Sequence, residues 1–66
     1  MEIIVNGTAR QVTAPYSVAD LIRDLELTGR RLAVEVNLDI VPRSRHGKHQ
    51  LQAGDRVEIV HAIGGG

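Results

Sequence analysis

A single stretch of this chain has the apolar spacing of a helix, and most of what surrounds it alternates as β-strands do. The helical stretch repeats its apolar residues at i, i+3, i+4 and i+7, which places four of them on one buried stripe: Val18, Leu21, Ile22 and Leu25. Ser17 and Asp20 have the form of an N-cap with an acidic residue three positions on, a weaker version of the capping box. The pattern predicts one helix of about ten residues. We expect Gly29, just beyond Leu27, to be its left-handed cap.

A β-hairpin is predicted before the helix. Residues 2–5 have the composition of a strand, and Asn6-Gly7 is the strongest two-residue hairpin signal. Residues 8–13 are therefore expected to run back antiparallel to the first strand.

Two or three further strands are predicted after the helix. Residues 32–37 alternate with period two, and residues 40–41 add a short strand that Pro42 confines to an edge or an end. Residues 43–50 are basic, polar and weakly patterned, which predicts a loop or an irregular turn. Residues 56–62 form the last strand. The residues expected to face or anchor the core in this half are Leu32, Val34, Val36, Leu51, Val57 and Ile59.

The order of these elements is hairpin, helix, strand, irregular connection and strand. One helix crossing one mixed sheet is the two-layer arrangement that suits this order. The last strand is rather continuously apolar, which favours a place at the sheet centre beside the first. The predicted fold class is α+β, a β-grasp (ubiquitin-like) fold with a mixed four- to five-stranded sheet crossed by one helix. We expect this domain over residues 1–63 and a flexible C-terminal glycine tail over residues 64–66.

The composition excludes several classes of function. Sixty-six residues make one small domain, and eight basic residues balance eight acidic ones, so net charge favours neither nucleic acid nor an acidic membrane surface. The chain has no cysteine, which excludes disulfides, thiolate zinc sites and thiol nucleophiles. No apolar run approaches the roughly 20 residues of a membrane-spanning helix, and no signal-peptide pattern is present. We therefore expect a cytoplasmic adaptor or carrier.

The three glycines at the end of the sequence are the first candidate for chemistry. Glycine has no Cβ, so Gly64 and Gly65 can thread through a channel where any side chain would clash. A carboxylate at Gly66 would be an unhindered acyl group, which ATP could activate as an acyl adenylate in a partner enzyme. Because these glycines follow the predicted central strand, we interpret them as a functional tail.

An apolar surface at the base of this tail is the second candidate. If Ile3 and Val5 face the helix, period-two alternation turns other apolar residues to the opposite face of the sheet. Apolar patches on an open face often mark partner sites. The predicted partner-binding residues are Ile4, Ala33, Val60, Ala62 and Ile63.

The histidines are weaker candidates. His46 and His49 lack a third metal ligand, so a solvated basic loop is the favoured interpretation, with contact to a phosphate or an acidic partner rim as the alternative. His61 is expected to be partly buried at the end of a strand, with no nucleophile to activate. We predict no catalytic residue, no metal site and no bound cofactor. The chain is therefore expected to be a substrate of partner enzymes, not an enzyme.

The sequence resembles the sulfur carrier proteins of thiamine biosynthesis, the ThiS family. The resemblance covers the whole chain in order and at the family's usual length. It is carried by four segments: residues 3–7, 32–37, 40–44 and 54–66.

The resemblance implies a function for the tail. A partner like the ubiquitin-activating enzymes (ThiF-like) would adenylate the Gly66 carboxylate with ATP, and sulfur mobilised from cysteine by a desulfurase would convert it to a thiocarboxylate. A thiazole synthase (ThiG-like) would accept that sulfur for the thiazole ring of thiamine. The terminal glycine pair of the family corresponds to Gly65 and Gly66, and Gly64 would be a spacer.

Other functions share parts of this pattern. The small subunit of molybdopterin synthase and the sulfur carriers of tRNA thiolation or cysteine synthesis have similar tails. A ubiquitin-like protein modifier would use the same adenylate to form isopeptide bonds. A plain β-grasp binding module would not use its tail at all.

Overall fold

The computed structural model of the chain describes residues 1–61. Five strands and one α-helix follow in chain order, with a 3-10 turn before the last strand. They are β1 (Glu2–Val5), β2 (Thr8–Gln11), α1 (Val18–Asp24), β3 (Leu32–Val36), β4 (Asp39–Val41), the 3-10 turn Arg43–Arg45, and β5 (Arg56–His61). The strands form one sheet in the order β2-β1-β5-β3-β4.

The sheet is mixed because only the β1–β5 pair is parallel. β5 lies at the centre, between β1 and β3, as its continuous apolar character indicates. The predicted α+β class and β-grasp arrangement are confirmed, with five strands in the sheet. The predicted boundary after residue 63 and the glycine tail lie outside the described residues.

Both hairpins turn through two residues with positive φ, the geometry that matches the twist of the flanking strands. Asn6 and Gly7 have φ of 48° and 83°, as their sequence predicts. Asn37 and Leu38 have φ of 51° and 73° and join β3 to β4. The Asn37 side chain fixes the second turn, because its Oδ1 accepts from the Arg56 amide at 2.9 Å.

The helix begins where the sequence predicts and ends earlier. Ser17 Oγ accepts from the Asp20 amide at 3.0 Å, and Asp20 Oδ2 accepts from the Ser17 amide at 2.9 Å, which completes a capping box. The helix has seven residues and not ten, and its left-handed residue is Glu26, with φ of 60°. Gly29 is also left-handed, but it lies in the following turn and caps nothing.

A Schellman motif explains the early end of the helix. The Glu26 amide donates to the Arg23 carbonyl and the Leu27 amide donates to the Ile22 carbonyl, both at 2.9 Å. A longer helix would turn Leu27 away from the stripe that contains Leu25, because residues two positions apart are separated by about 200° around the helix axis. Ending the helix at this point lets both leucines pack against the core.

The core lies between α1 and one face of the sheet. The buried residues include every second position of the central strands, and Leu51 anchors the long connection as predicted. The buried apolar residues are Ile3, Val5, Tyr16, Val18, Leu21, Ile22, Val34, Val36, Val41, Leu51, Val57 and Ile59. Within residues 1–61, no helix is long and apolar enough to cross a membrane.

Candidate functional site

The open face of the sheet, which α1 does not cover, contains the described part of the predicted partner surface. Ala33 on β3 and Val60 on β5 are direct antiparallel partners, and both are exposed. Val60 is 55% exposed, whereas its neighbour Ile59 is 6% exposed. Alternation along β5 therefore turns Val60 out of the core, and the face that the sequence predicts for Val60 is correct.

Ile4 lies on the same open face but not beside Val60. Its partner on β5 is Arg56, four positions before Val60. At about 3.3 Å per residue, this separates the two side chains by about 13 Å along the sheet. The structure therefore brings Ala33 and Val60 together, while Ile4 marks the opposite end of the face. Ala62 and Ile63, the remaining predicted members, lie outside the described residues.

Two glutamates occupy the open face between these apolar ends. Glu35 on β3 and Glu58 on β5 are direct cross-strand partners. Neither glutamate has an ion pair within residues 1–61. Like charges in directly opposite positions destabilise a sheet. Period-two alternation already puts Glu58 in phase with Val60, so the sequence could assign Glu58 to this face, but its pairing with Glu35 depends on the β3–β5 register.

The exposed side of β4 extends the apolar part of the open face. Ile40 is paired with Glu35 and is 71% exposed. Leu38, in the turn that precedes it, is 84% exposed. These are large apolar side chains in solvent at the sheet edge, next to the acidic pair. Within the described residues, the open face therefore combines apolar side chains with an acidic pair, and the exposed Arg56 lies at its Ile4 end.

The Asn6 side chain forms hydrogen bonds to the C-terminal half of β5. β1 ends at Val5, so among residues 1–61 the second half of β5 has no strand partner on that side. The Asn6 side chain takes the place of a strand: its Oδ1 accepts from the Ile59 amide at 2.8 Å and its Nδ2 donates to the Ile59 carbonyl at 3.4 Å. The Asn6 amide also donates to the Val57 carbonyl at 2.9 Å. Sequence reasoning assigned Asn6 only to a turn and missed this role.

The histidines do not form a site. His46 is half-buried, and its Nε2–H donates to the Val41 carbonyl at 3.1 Å. His49 is half-buried, and His61 is exposed, so the predicted partial burial of His61 is wrong. His61 has the same phase as the inward residues Val57 and Ile59, but it is exposed because it lies beyond the end of the core. Within residues 1–61, no group of three or more His, Cys, Asp or Glu side chains could hold a metal ion.

The perturbed ionisable groups lie on the helix side, away from the open face. The hydroxyl of Tyr16 donates to Asp24 Oδ2 at 2.7 Å. Burial, together with this bond, raises the pKa of Tyr16, and the same bond lowers the pKa of Asp24. The Ser17 amide lowers the pKa of Asp20 in the capping box. These shifts arise from hydrogen bonds at the two ends of α1 and not from a reactive site.

Fold and open face together define a ubiquitin-like β-grasp domain, in which the central strand leads directly to the glycine-rich end of the sequence. Residues 3–66 match the model of the ThiS family, and the chain belongs to that family. The chain is 33% identical to the sulfur carrier protein ThiS of Escherichia coli, with full coverage of both chains. The crystal structure of a thiamine biosynthesis protein (ThiS) from Geobacter metallireducens superposes with a TM-score of 0.83, at 28% identity and full coverage of both chains.

Two other relatives are larger proteins. The chain is 41% identical to a thiazole synthase of Paramagnetospirillum magneticum and 36% identical to one of Magnetococcus marinus, over 66 residues in each case. All of this chain is covered, but it spans only 20% of the length of each thiazole synthase. A domain similar to this chain therefore occurs within those two proteins.

Proposed function

We propose that this protein is a sulfur carrier for the thiazole branch of thiamine biosynthesis. The observation that carries the proposal is the match to the sulfur carrier protein ThiS of Escherichia coli along the whole of both chains. The two thiazole synthases that contain a similar domain support thiazole synthase as the acceptor of the sulfur. The proposed location of these steps is the cytoplasm.

The proposed chemistry takes place on the carboxylate of Gly66, which must then be the last residue of the working protein. A carboxylate oxygen attacks the α-phosphorus of ATP and releases pyrophosphate. Hydrosulfide, released from the persulfide of a desulfurase by a thiol reductant that supplies two electrons, then attacks the acyl carbon, and AMP leaves with the oxygen. The product is a C-terminal thiocarboxylate, which needs no side-chain thiol, in agreement with a chain that has no cysteine.

The proposed partners supply all of the catalysis. An adenylating enzyme like the ubiquitin-activating enzymes binds ATP, a desulfurase mobilises sulfur from cysteine, and thiazole synthase receives it. Gly64 and Gly65 thread the tail into these enzymes. Ala33 and Val60 form the docking surface within residues 1–61, with Ile4 at the other end of the open face, and the proposal also assigns Ala62 and Ile63 to it.

The acidic pair suggests the chemistry of the docking partner. Glu35 and Glu58 repel each other on an exposed face, and a cationic side chain from a partner would remove that repulsion. The apolar residues on either side would be covered at the same time. We therefore expect the adenylating enzyme to present an arginine or a lysine within an apolar surface.

Intact mass spectrometry tests the proposal. The chain is incubated with a purified adenylating enzyme, ATP and bisulfide. The expected product has a mass gain equal to the difference between sulfur and oxygen, and it is absent when Gly66 is deleted or when one residue is added after it. Formation of higher-mass conjugates would identify a protein modifier instead. No change with an enzyme that is active on another carrier would reject the carrier function.

A further inference from the structure

A concave surface lies on the helix side of the molecule, between α1 and the 3-10 turn. Its volume is about 290 Å³. Apolar side chains form its floor, among them Ile22, Leu27 and Leu32. Two cationic side chains, Arg30 and Arg43, line it as well. We refer to it as the helix-side cleft.

The charges of the helix-side cleft are not balanced locally. No carboxylate lines it, and neither Arg30 nor Arg43 has an ion pair within residues 1–61. The cleft beside Tyr16 differs, because Asp20 and Asp24 also line it and both of them pair with Arg23. Since the whole chain has no net charge, the positive potential of the helix-side cleft results from the arrangement of its residues.

Hydrogen bonds to α1 and β4 fix the position of the 3-10 turn that presents Arg43. The His46 carbonyl accepts from the Ala19 amide at 2.9 Å, which ties the turn to the first residues of α1. The His46 ring donates to the Val41 carbonyl at 3.1 Å, which ties the turn to β4. The guanidinium of Arg43 therefore starts from a fixed backbone, and this lowers the ordering cost of binding.

We propose that the helix-side cleft receives an acidic and aliphatic peptide segment of a protein partner. A carboxylate would bind between Arg30 and Arg43, and an aliphatic side chain would cover the floor formed by Leu27 and Leu32. The volume lies just below the roughly 300–1,000 Å³ of small-molecule sites, so the cleft suits one or two side chains better than a cofactor. The inference goes beyond the proposed function because it uses neither the tail nor the open face. A partner could therefore occupy this cleft while the tail is engaged elsewhere.

A peptide titration followed by NMR tests the proposal. The probe is acetyl-Leu-Glu-Glu-Leu-amide, added to the ¹⁵N-labelled chain. We expect saturable amide shifts at Ala19, Gly29 and Gly47, which line the cleft. Arg43→Gln should weaken binding roughly tenfold, because it removes a charge-assisted hydrogen bond.

The matched control is Arg45→Gln. Arg45 belongs to the same turn, and its substitution removes the same charge, but Arg45 lines a different cleft. Its affinity for the peptide should stay within about twofold of the unmodified chain, since exposed charges at a distance contribute little. Both variants alter exposed side chains, and unchanged amide dispersion verifies that each is folded.

Four results would overturn the proposal: no saturable shifts, equal binding of acetyl-Leu-Gln-Gln-Leu-amide, equal losses in the two arginine variants, or equal shifts and affinity with inorganic phosphate. The last would identify an anion site without a peptide preference. The titration needs no ATP, sulfur or tail. Deletion of Gly65 and Gly66 should therefore leave it unchanged, and its outcome is independent of the sulfur-carrier test.

Discussion

Ala33 and Val60 face each other across the β3–β5 ladder, on the side of the sheet that the helix leaves open. The next residue pair along the ladder, Val34 and Ile59, faces the core and is buried. Two adjacent residues of β5 therefore have different roles: Val60 lies on the surface, and Ile59 packs in the core. Substitutions at adjacent positions of β5 can therefore distinguish partner binding from folding.

Val60→Asp should weaken binding to the adenylating enzyme while the domain stays folded. Its side chain is 55% exposed, so a carboxylate at this position remains hydrated and lowers stability by only about 1 kcal/mol. Calorimetric titration with the enzyme and urea denaturation measure the two effects. Ile59→Asp is the matched control, and it should unfold the domain because it buries an unpaired charge at a position only 6% exposed. Unfolding by Val60→Asp would contradict the strand register.

Asn6→Gly should release the end of β5 without straining the turn. Glycine accepts the φ of 48° that Asn6 adopts, so the change isolates the loss of the two side-chain bonds to Ile59. Amide hydrogen exchange at Ile59 should accelerate roughly tenfold, the equivalent of one hydrogen bond. The amide of Val60 points towards β3 and is the internal control, because N–H directions alternate along a strand. Equal acceleration at both amides would indicate general destabilisation and would reject the specific role of Asn6.

The outline of the fold could be predicted from sequence because its signals are local. The turn at Asn6-Gly7, the capping box at Ser17 and the alternation of β3 each involve only a few neighbouring residues. The early helix end was missed because it places Glu26, a residue with no left-handed preference, at positive φ.

Long-range features of the site were less predictable. Asn6 and Ile59 are 53 positions apart, and no sequence pattern connects a turn residue to a strand at that separation. The distance between Ile4 and Val60 depends on the register of β1 against β5, which the connecting segments set. Alternation assigns a residue to a face of the sheet, but it does not give its position along that face.

Ser17→Ala should destabilise the domain by about 1 kcal/mol, the usual effect of removing an N-cap side chain. The Asp20 amide would lose its bond to Ser17 Oγ, and α1 packs directly on the core. The midpoint of thermal unfolding should fall by roughly 4–8 °C in a domain of this size. Ser44→Ala, in the exposed 3-10 turn, is the control and should leave the midpoint nearly unchanged. Equal shifts in the two variants would show that the capping box contributes nothing.

Stability should fall at acidic pH because of Asp20 and Asp24. Both carboxyls have a pKa below the ordinary value of 3.8, owing mainly to the Ser17 amide and to the Tyr16 hydroxyl respectively. A lowered folded-state pKa gives a contribution that is complete above the unfolded value and is lost as the pH falls through the folded one. Urea midpoints measured from neutral pH down to about pH 2 should record this loss.

Tyr16→Phe tests the share of this acid dependence that comes from Asp24. The ring can still pack in the core, but the hydroxyl that bonds to Asp24 at 2.7 Å is removed. The fall in urea midpoint between neutral and acidic pH should then be smaller than in the unmodified chain. An identical fall would mean that the Tyr16–Asp24 bond does not contribute to the pH dependence.

Glu58→Gln should make the domain more stable and bind the adenylating enzyme more weakly. The change removes the cross-strand repulsion with Glu35, which corresponds to roughly 0.2–1 kcal/mol. Glu35→Gln should stabilise by a similar amount, and the double variant should gain little more, because either change alone removes the repulsion. Added salt should raise the urea midpoint of the unmodified chain more than that of the variants. Salt screens the repulsion between the two glutamates, and only the unmodified chain has that repulsion. A loss of stability in Glu58→Gln would mean that the two glutamates do not repel each other. Unchanged affinity for the enzyme would mean that the acidic pair is not a docking feature.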